Sequence, residues 1–131
     1  IERIRALDDA GPQLNAVIAY DADAARKAAL AKGPLAGRTV LVKDNIETAD
    51  FPTTAGSLAL KDNATGRDAP MIAGLRAAGG VVLGKANLSE WANIRSNSSS
   101  SGWSAIGGLT RNPHATDRTA CGSSSGSGAA V

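Results

Sequence analysis

The chain has 131 residues, of which 43% are hydrophobic and 20% are charged, a length and composition typical of one globular domain with its own core. Its net charge of +2 and its lack of a Lys/Arg cluster argue against nucleic acid or a membrane as a partner. The single cysteine, Cys121, excludes an internal disulfide, which favours a reducing compartment such as the cytoplasm.

The first section of the chain predicts helices around a short apolar stretch. Apolar residues recur at helical spacing from Ile1 to Leu7, which predicts a first helix. The apolar stretch 14–20 predicts either a strand or the lead-in to the next helix. Asp21 is expected to cap that second helix, which has acidic residues early and basic residues late. We expect residues 1–33 to form peripheral helices.

A β-branched run at 38–42 predicts the first buried strand. It is followed by the polar triplet Lys43, Asp44 and Asn45. In α/β proteins, ligands bind just beyond the carboxyl ends of strands, so this triplet is a candidate site. The alternative is that Lys43 only extends from the strand end to the surface. Sequence physics alone leaves both interpretations open.

A strand–helix–strand unit follows. Asp68 is expected to cap a helix whose inner face includes Met71 and Ile72. The run 81–83 predicts a second buried strand, and the spacing favours a parallel crossover connection. Lys85 follows this strand, so a second lysine is expected at the carboxyl end of the sheet, and the sequence after it favours a structural contact for this lysine.

The segment after the second strand has little periodicity. Asn87 stands at capping-box spacing from Glu90, which predicts a short helix. Residues 93–120 form a connection that is too long to be ordinary, and such connections are either binding loops or disordered. Trp103 and Leu109 are spaced along it as candidate anchors, which favours an ordered loop.

The final stretch, 121–131, is a run of small hydroxyl residues and glycines that leads into an apolar helix. Its composition is also that of a flexible linker. The direct run into apolar residues at 129–131 argues against a linker, and Ser127 is expected to be the helix N-cap. Because the sequence lacks an initiator methionine and stops just after this helix begins, we expect it to be an internal piece of a longer protein.

The inventory of reactive side chains narrows the chemistry. The single histidine, His114, lies in polar sequence and is expected to be solvated, which argues against a Ser-His-Asp triad. Metal-ligand clusters, a phosphate-binding loop and a complete dinucleotide fingerprint are all missing from the sequence. What remains is lysine together with a serine-rich segment. Serine can be activated by lysine when the lysine is held neutral by burial and by its neighbours.

Ordered segments of this sequence resemble those of the amidase signature family, and within it those of the bacterial peptide amidase branch. The matching segments are LVKDNI (41–46), AGSL (55–58), VLGK (82–85), NLSEWAN (87–93), SGWSA (101–105), TRNP (110–113) and CGSSSGSGAAV (121–131). The resemblance implies an α/β fold with a mixed β-sheet core flanked by α-helices on both sides. It implies that the chain is the N-terminal part of a single amidase domain, with the signature core at 34–131.

The resemblance also implies an activity. Members of this family hydrolyse carboxamide C–N bonds through an acyl-serine intermediate, without a metal or an organic cofactor. By this resemblance Lys43 is the general base and Ser123 is the bridging serine, joined to Gly122 by a cis peptide bond. Gly122 and Ser124 are implied to contact substrate, which would be a small-molecule or peptide amide. The nucleophilic serine would lie beyond residue 131.

The serine-rich segment departs from the wider family pattern Gly-Gly-Ser-Ser-Gly-Gly-Ser at two positions. Cys121 replaces the first glycine and Ser125 replaces the third. These departures are similar to the peptide amidase version, which points to C-terminal peptide amides as substrates. The alternative from another functional class is a non-catalytic α/β module. In that module the Gly/Ser-rich helix N-terminus would bind an anion and Lys43 would supply a counter-charge.

Overall fold

The computed structural model describes residues 1–30 and 32–131 and contains a three-stranded mixed sheet. Its strands are β1 (Val17–Tyr20), β2 (Thr39–Lys43) and β3 (Val81–Ala86). The central strand β3 runs parallel to β2 and antiparallel to β1. The predicted mixed sheet and the parallel pairing are therefore confirmed. Residues 1–33, expected to be peripheral helices, also supply an edge strand of the sheet.

The helices are short. They are α1 (Glu2–Ile4), which continues as a π-helical turn (Arg5–Asp9), α2 (Ala22–Ala28), α3 (Pro70–Ala77) and α4 (Ser125–Ala129), with 3₁₀ turns at Leu58–Leu60 and Glu90–Asn93. Asp21 caps α2 as predicted, because its carboxylate accepts hydrogen bonds from the backbone N–H groups of Asp23 and Ala24. In the part of the chain that the structure describes, no helix has the length and apolarity needed to cross a membrane.

Helix α3 differs from the prediction at its N-terminus. The N-cap is Ala69, and the carboxylate of Asp68 instead accepts hydrogen bonds from the backbone N–H of Ala49 and from Arg76 Nε. The expected Asp68 cap is therefore wrong, since both carboxylate oxygens serve other donors. Met71 is 67% exposed and does not lie on the inner face, whereas Ile72 is buried there as predicted.

Hydrophobic clusters lie on both faces of the sheet. Ile72 of α3 packs with Val42 and Val82 on one face. On the other face Ala129 of α4 packs with Leu14. Burying a side chain of valine or isoleucine size contributes about 1.5–3 kcal/mol, so these contacts fix the helices against the sheet. The predicted helices on both sides of the sheet are confirmed.

Residues 93–120 are ordered, as predicted, and contain two small antiparallel hairpins. The first pairs β4 (Trp103–Ser104) with β5 (Gly108–Leu109), and the second pairs β6 (Arg111–Asn112) with β7 (Ala115–Thr119). Trp103 and Leu109 are 43% and 42% exposed, so their expected role as anchors is wrong. The exposed position of His114 agrees with the prediction.

The side chain that anchors this region is the fully buried Asn87. Its Nδ2 donates hydrogen bonds to the carbonyl oxygens of Asn15 and Gly108 and to Thr110 Oγ1, and its Oδ1 accepts one from Ser104 Oγ. The capping box expected between Asn87 and Glu90 does not form, because the Asn87 amide is used by these partners. One buried amide therefore ties the start of β1 to both hairpins.

Candidate active site

Lys43 and Ser123, which lie 80 positions apart in the sequence, meet at the end of the sheet. Lys43 is the last residue of β2, and alternation along the strand places its side chain on the same face as Leu41. Ser123 lies just before α4, which packs against β2 on that face. Lys43 Nζ donates a hydrogen bond of 2.9 Å to Ser123 Oγ. The structure thus brings together the two residues that the resemblance implies to be catalytic.

The environment of Lys43 disfavours its charged form. Its side chain is partly buried, and this burial lowers the pKa of Lys43 below the ordinary lysine value. Among the described residues, no carboxylate forms an ion pair with Lys43. Its polar partner is a hydroxyl, which can pass a proton in either direction. A neutral amine beside a hydroxyl is the arrangement that a lysine base requires.

The backbone of Ser123 is held by Ser89, a residue that the sequence analysis did not single out. The Gly122–Ser123 peptide bond is cis, the configuration that the resemblance implies. The carbonyl oxygen of Ser123 accepts a hydrogen bond of 3.0 Å from the backbone N–H of Ser89. Ser89 Oγ, fully buried, accepts one of 2.8 Å from the Gly102 N–H. A Cβ at Gly122 would lie closer than 3.0 Å to that Oγ, so Ser89 also explains the glycine.

Helix α4 is fixed by backbone contacts at its first turn. The Gly126 N–H donates a hydrogen bond of 2.9 Å to the carbonyl oxygen of Asn87, and Thr110 Oγ1 donates one of 3.1 Å to Ser125 Oγ. The helix begins at Ser125 with Ser124 as N-cap, so the prediction of Ser127 as N-cap is wrong. The run of small residues is required here because a Cβ at Gly126 would collide with backbone atoms of neighbouring segments.

The remaining predicted site residues flank Ser123. Gly122 and Ser124 are both exposed, and the Ser124 side chain makes no capping hydrogen bond. The N-terminus of α4 is a poor anion site, because the helix has a single turn and a half and the Gly126 N–H is already bonded to Asn87. The exposed neighbours of Ser123 are therefore free to face a ligand, whereas the helix terminus itself is partly satisfied.

Lys85 occupies a different place from the one predicted. It lies inside β3 opposite Val42, not beyond the strand, and is 1% exposed. Its Nζ lies 3.2 Å from Asp44 Oδ1 and donates hydrogen bonds to the carbonyl oxygen of Ile46 and to Thr53 Oγ1. Burial lowers the pKa of Lys85, and the neighbouring Asp44 carboxylate opposes that shift. Lys85 therefore makes structural contacts, as the sequence predicts, on the face opposite Lys43.

A family model described as Amidase matches residues 2–131. The chain belongs to the amidase family. Among solved structures, this amidase chain is similar to the native peptide amidase of Stenotrophomonas maltophilia, with 52% identity and a TM-score of 0.89 over 99% of the chain and 28% of that protein. An amidase family protein of Bacillus anthracis is 40% identical, with a TM-score of 0.89 over 99% of the chain and 28% of that protein. These likenesses confirm the predicted α/β fold.

Curated relatives carry several names. A probable amidase of Arabidopsis thaliana is 44% identical over 98% of the chain and 27% of its own length. A glutamyl-tRNA(Gln) amidotransferase of Symbiobacterium thermophilum is 48% identical over 83% of the chain and 22% of its own length. The amidase chain thus spans about a quarter of the length of the relatives it matches.

Proposed function

We propose that the chain is the N-terminal part of a full-length amide hydrolase in which Lys43 is the general base and Ser123 relays the proton. The observation that carries this proposal is the 2.9 Å hydrogen bond between Lys43 Nζ and Ser123 Oγ. Membership of the amidase family and the lowered pKa of Lys43 support it. The nucleophilic serine is assigned to sequence that follows residue 131 in the full-length enzyme.

The proposed reaction moves one proton along two hydroxyls. As the nucleophilic serine attacks the amide carbon, its proton passes to Ser123 Oγ while the Ser123 proton passes to neutral Lys43. The lysinium then returns a proton through Ser123 to the departing ammonia or amine, which leaves the acyl-serine. Water, deprotonated by the same route, hydrolyses this ester. The relay explains the need for Ser123, since a lysine that contacted the nucleophile directly would leave no room for substrate.

For the substrate we propose small-molecule or peptide amides, and C-terminal peptide amides in particular. Similarity to the Stenotrophomonas maltophilia peptide amidase supports this choice, as do Cys121 and Ser125 in place of the family glycines. The exposed Gly122 and Ser124 border the Ser123 hydroxyl and are the residues we assign to substrate contact.

The proposal is tested on the full-length enzyme by measuring ammonia release from a C-terminal peptide amide. Ser123→Ala and Lys43→Ala should each lower kcat by at least about 10²-fold, the usual worth of a positioned acid or base. The matched control is Ser127→Ala, which removes a serine of the same segment inside α4 and should keep wild-type kcat. Full activity of Ser123→Ala would overturn the relay. Absence of any amidase activity, together with Lys43-dependent binding of inorganic phosphate, would favour the anion-binding module instead.

A further inference from the structure

Two fully buried charged side chains lie beside the proposed base, and the reaction above does not use them. Asp44 is 0% exposed and Lys85 is 1% exposed, and their charged atoms lie 3.2 Å apart. A buried ion pair of this kind often stabilises a fold no better than apolar residues of similar size. Its presence directly behind a catalytic group therefore calls for a functional explanation.

The pair and the base lie on opposite faces of the same sheet edge. Asp44 follows Lys43 directly, so the two side chains point away from each other. Lys85 is opposite Val42 in the neighbouring strand, which places it on the Asp44 face. Lys43 thus contacts Ser123 on one face while the ion pair is closed off on the other.

The pair fixes the chain on both sides of Lys43. Lys85 Nζ donates to the carbonyl oxygen of Ile46, and its other acceptors lie at Pro52 and Thr53, where the loop after β2 returns to the sheet. The Asp44 carboxylate accepts hydrogen bonds from the N–H and hydroxyl of Thr54. The whole loop between β2 and residue 55 is therefore tied to β3 through these two side chains.

The pair also balances charge. A lone buried carboxylate one residue from Lys43 would stabilise the lysinium, whereas an ammonium 3.2 Å from that carboxylate cancels its field. Other titratable groups near this end of β2 are already engaged or remote from the carboxylate. They are Glu47, which is paired with Arg67, Glu90, which accepts from the Ala105 N–H, Tyr20 on β1, which is bonded to Asp9, and the exposed Cys121; α4 carries none.

We propose that Asp44 and Lys85 are a positioning pair for Lys43: they clamp the end of β2, and by cancelling each other they leave the Lys43 amine without a counter-ion. This inference rests on the proposed function, because it assumes that Lys43 acts as a neutral base. It assigns Lys85 to the reaction as a positioning residue that touches no substrate.

The test compares pH profiles of kcat/KM in the full-length enzyme. Lys85→Met removes the charge and the donor, and Lys85→Gln removes the charge but keeps a hydrogen-bond donor. Each leaves Asp44 uncompensated, so the rising limb of the profile should move to higher pH by about one unit, the lower end of what a nearby opposite charge causes. Lys85→Arg keeps the charge and should leave the limb in place.

The double variant Asp44→Asn with Lys85→Met is the matched control, since it removes both charges. Its limb should return toward the wild-type position even though its stability falls. A folded charge-removing variant whose limb coincides with that of the wild type would overturn the inference, because a merely structural pair changes amplitude and stability alone. Should Lys85→Met not fold, Lys85→Gln decides. Failure of the proposed function looks different: Lys43→Ala would then keep the limb.

Discussion

Replacement of Lys43 by alanine separates catalysis from stability in this site. In the structure the described polar contact of the half-buried Lys43 amine is one hydrogen bond to Ser123 Oγ. Loss of one such bond costs about 0.5–1.5 kcal/mol of folding free energy. Loss of a general base lowers kcat by about 10²–10⁴-fold, which corresponds to about 2.7–5.5 kcal/mol of activation free energy. The catalytic loss should therefore exceed the stability loss several-fold.

The assay measures kcat for ammonia release by the full-length enzyme together with the free energy of unfolding in urea. Lys43→Arg is the matched variant, because it restores a cation of similar reach. A guanidinium stays protonated and cannot accept a proton, so this variant should remain as inactive as Lys43→Ala. Near-normal kcat in either variant would refute the assignment of Lys43 as base. A stability loss as large as the catalytic one would show that the lysine acts through folding.

Other consequences of the geometry can be measured directly. Because burial lowers the pKa of Lys43 and only the neutral amine accepts a proton, kcat/KM should rise with pH along a limb centred below the ordinary lysine value of about 10.4, and Lys43→Ala should abolish that limb. Gly122→Ala should lower kcat by about 10²-fold, since its Cβ would displace Ser89 Oγ and with it Ser123; removal of that Oγ in Gly122→Ala with Ser89→Ala should recover part of the loss in the same assay. Gly126→Ala should destabilise the enzyme by about 1–3 kcal/mol in urea unfolding, whereas Gly128→Ala, which meets no atom within 4 Å, should not. The 131-residue chain alone should show no turnover of a peptide amide, because the proposed nucleophile lies outside it.

The elements that could be predicted from sequence are those whose signal is local. The apolar runs identified β2 and β3, and the carboxylate of Asp21 identified the start of α2. Predictions failed where a polar side chain had two possible partners. Asp68 has the chemistry of a cap but bonds to Arg76 and to a distant backbone N–H, a choice that depends on tertiary neighbours.

The roles of Ser89 and Asn87 were missed for the same reason. Both are buried polar residues whose partners lie far along the chain, so neither periodicity nor spacing reveals them. Asn87 bonds to segments on either side of it, up to 72 positions away at Asn15. Ser89 reaches the relay serine through a backbone hydrogen bond that any residue type except proline could donate. Such residues carry a site without displaying the chemistry of one, and only the fold identifies them.

The two lysines at the sheet end show which physical property selects a base. Burial lowers the pKa of both, and Lys85 is the more deeply buried, so desolvation alone would select Lys85. The partners reverse that choice. Lys85 lies against the Asp44 carboxylate, which favours its ammonium form and holds its proton in place, whereas Lys43 donates to a hydroxyl that can itself give up a proton. A buried lysine becomes a base when its neighbour can relay a proton, and in this sheet that condition is met by Lys43.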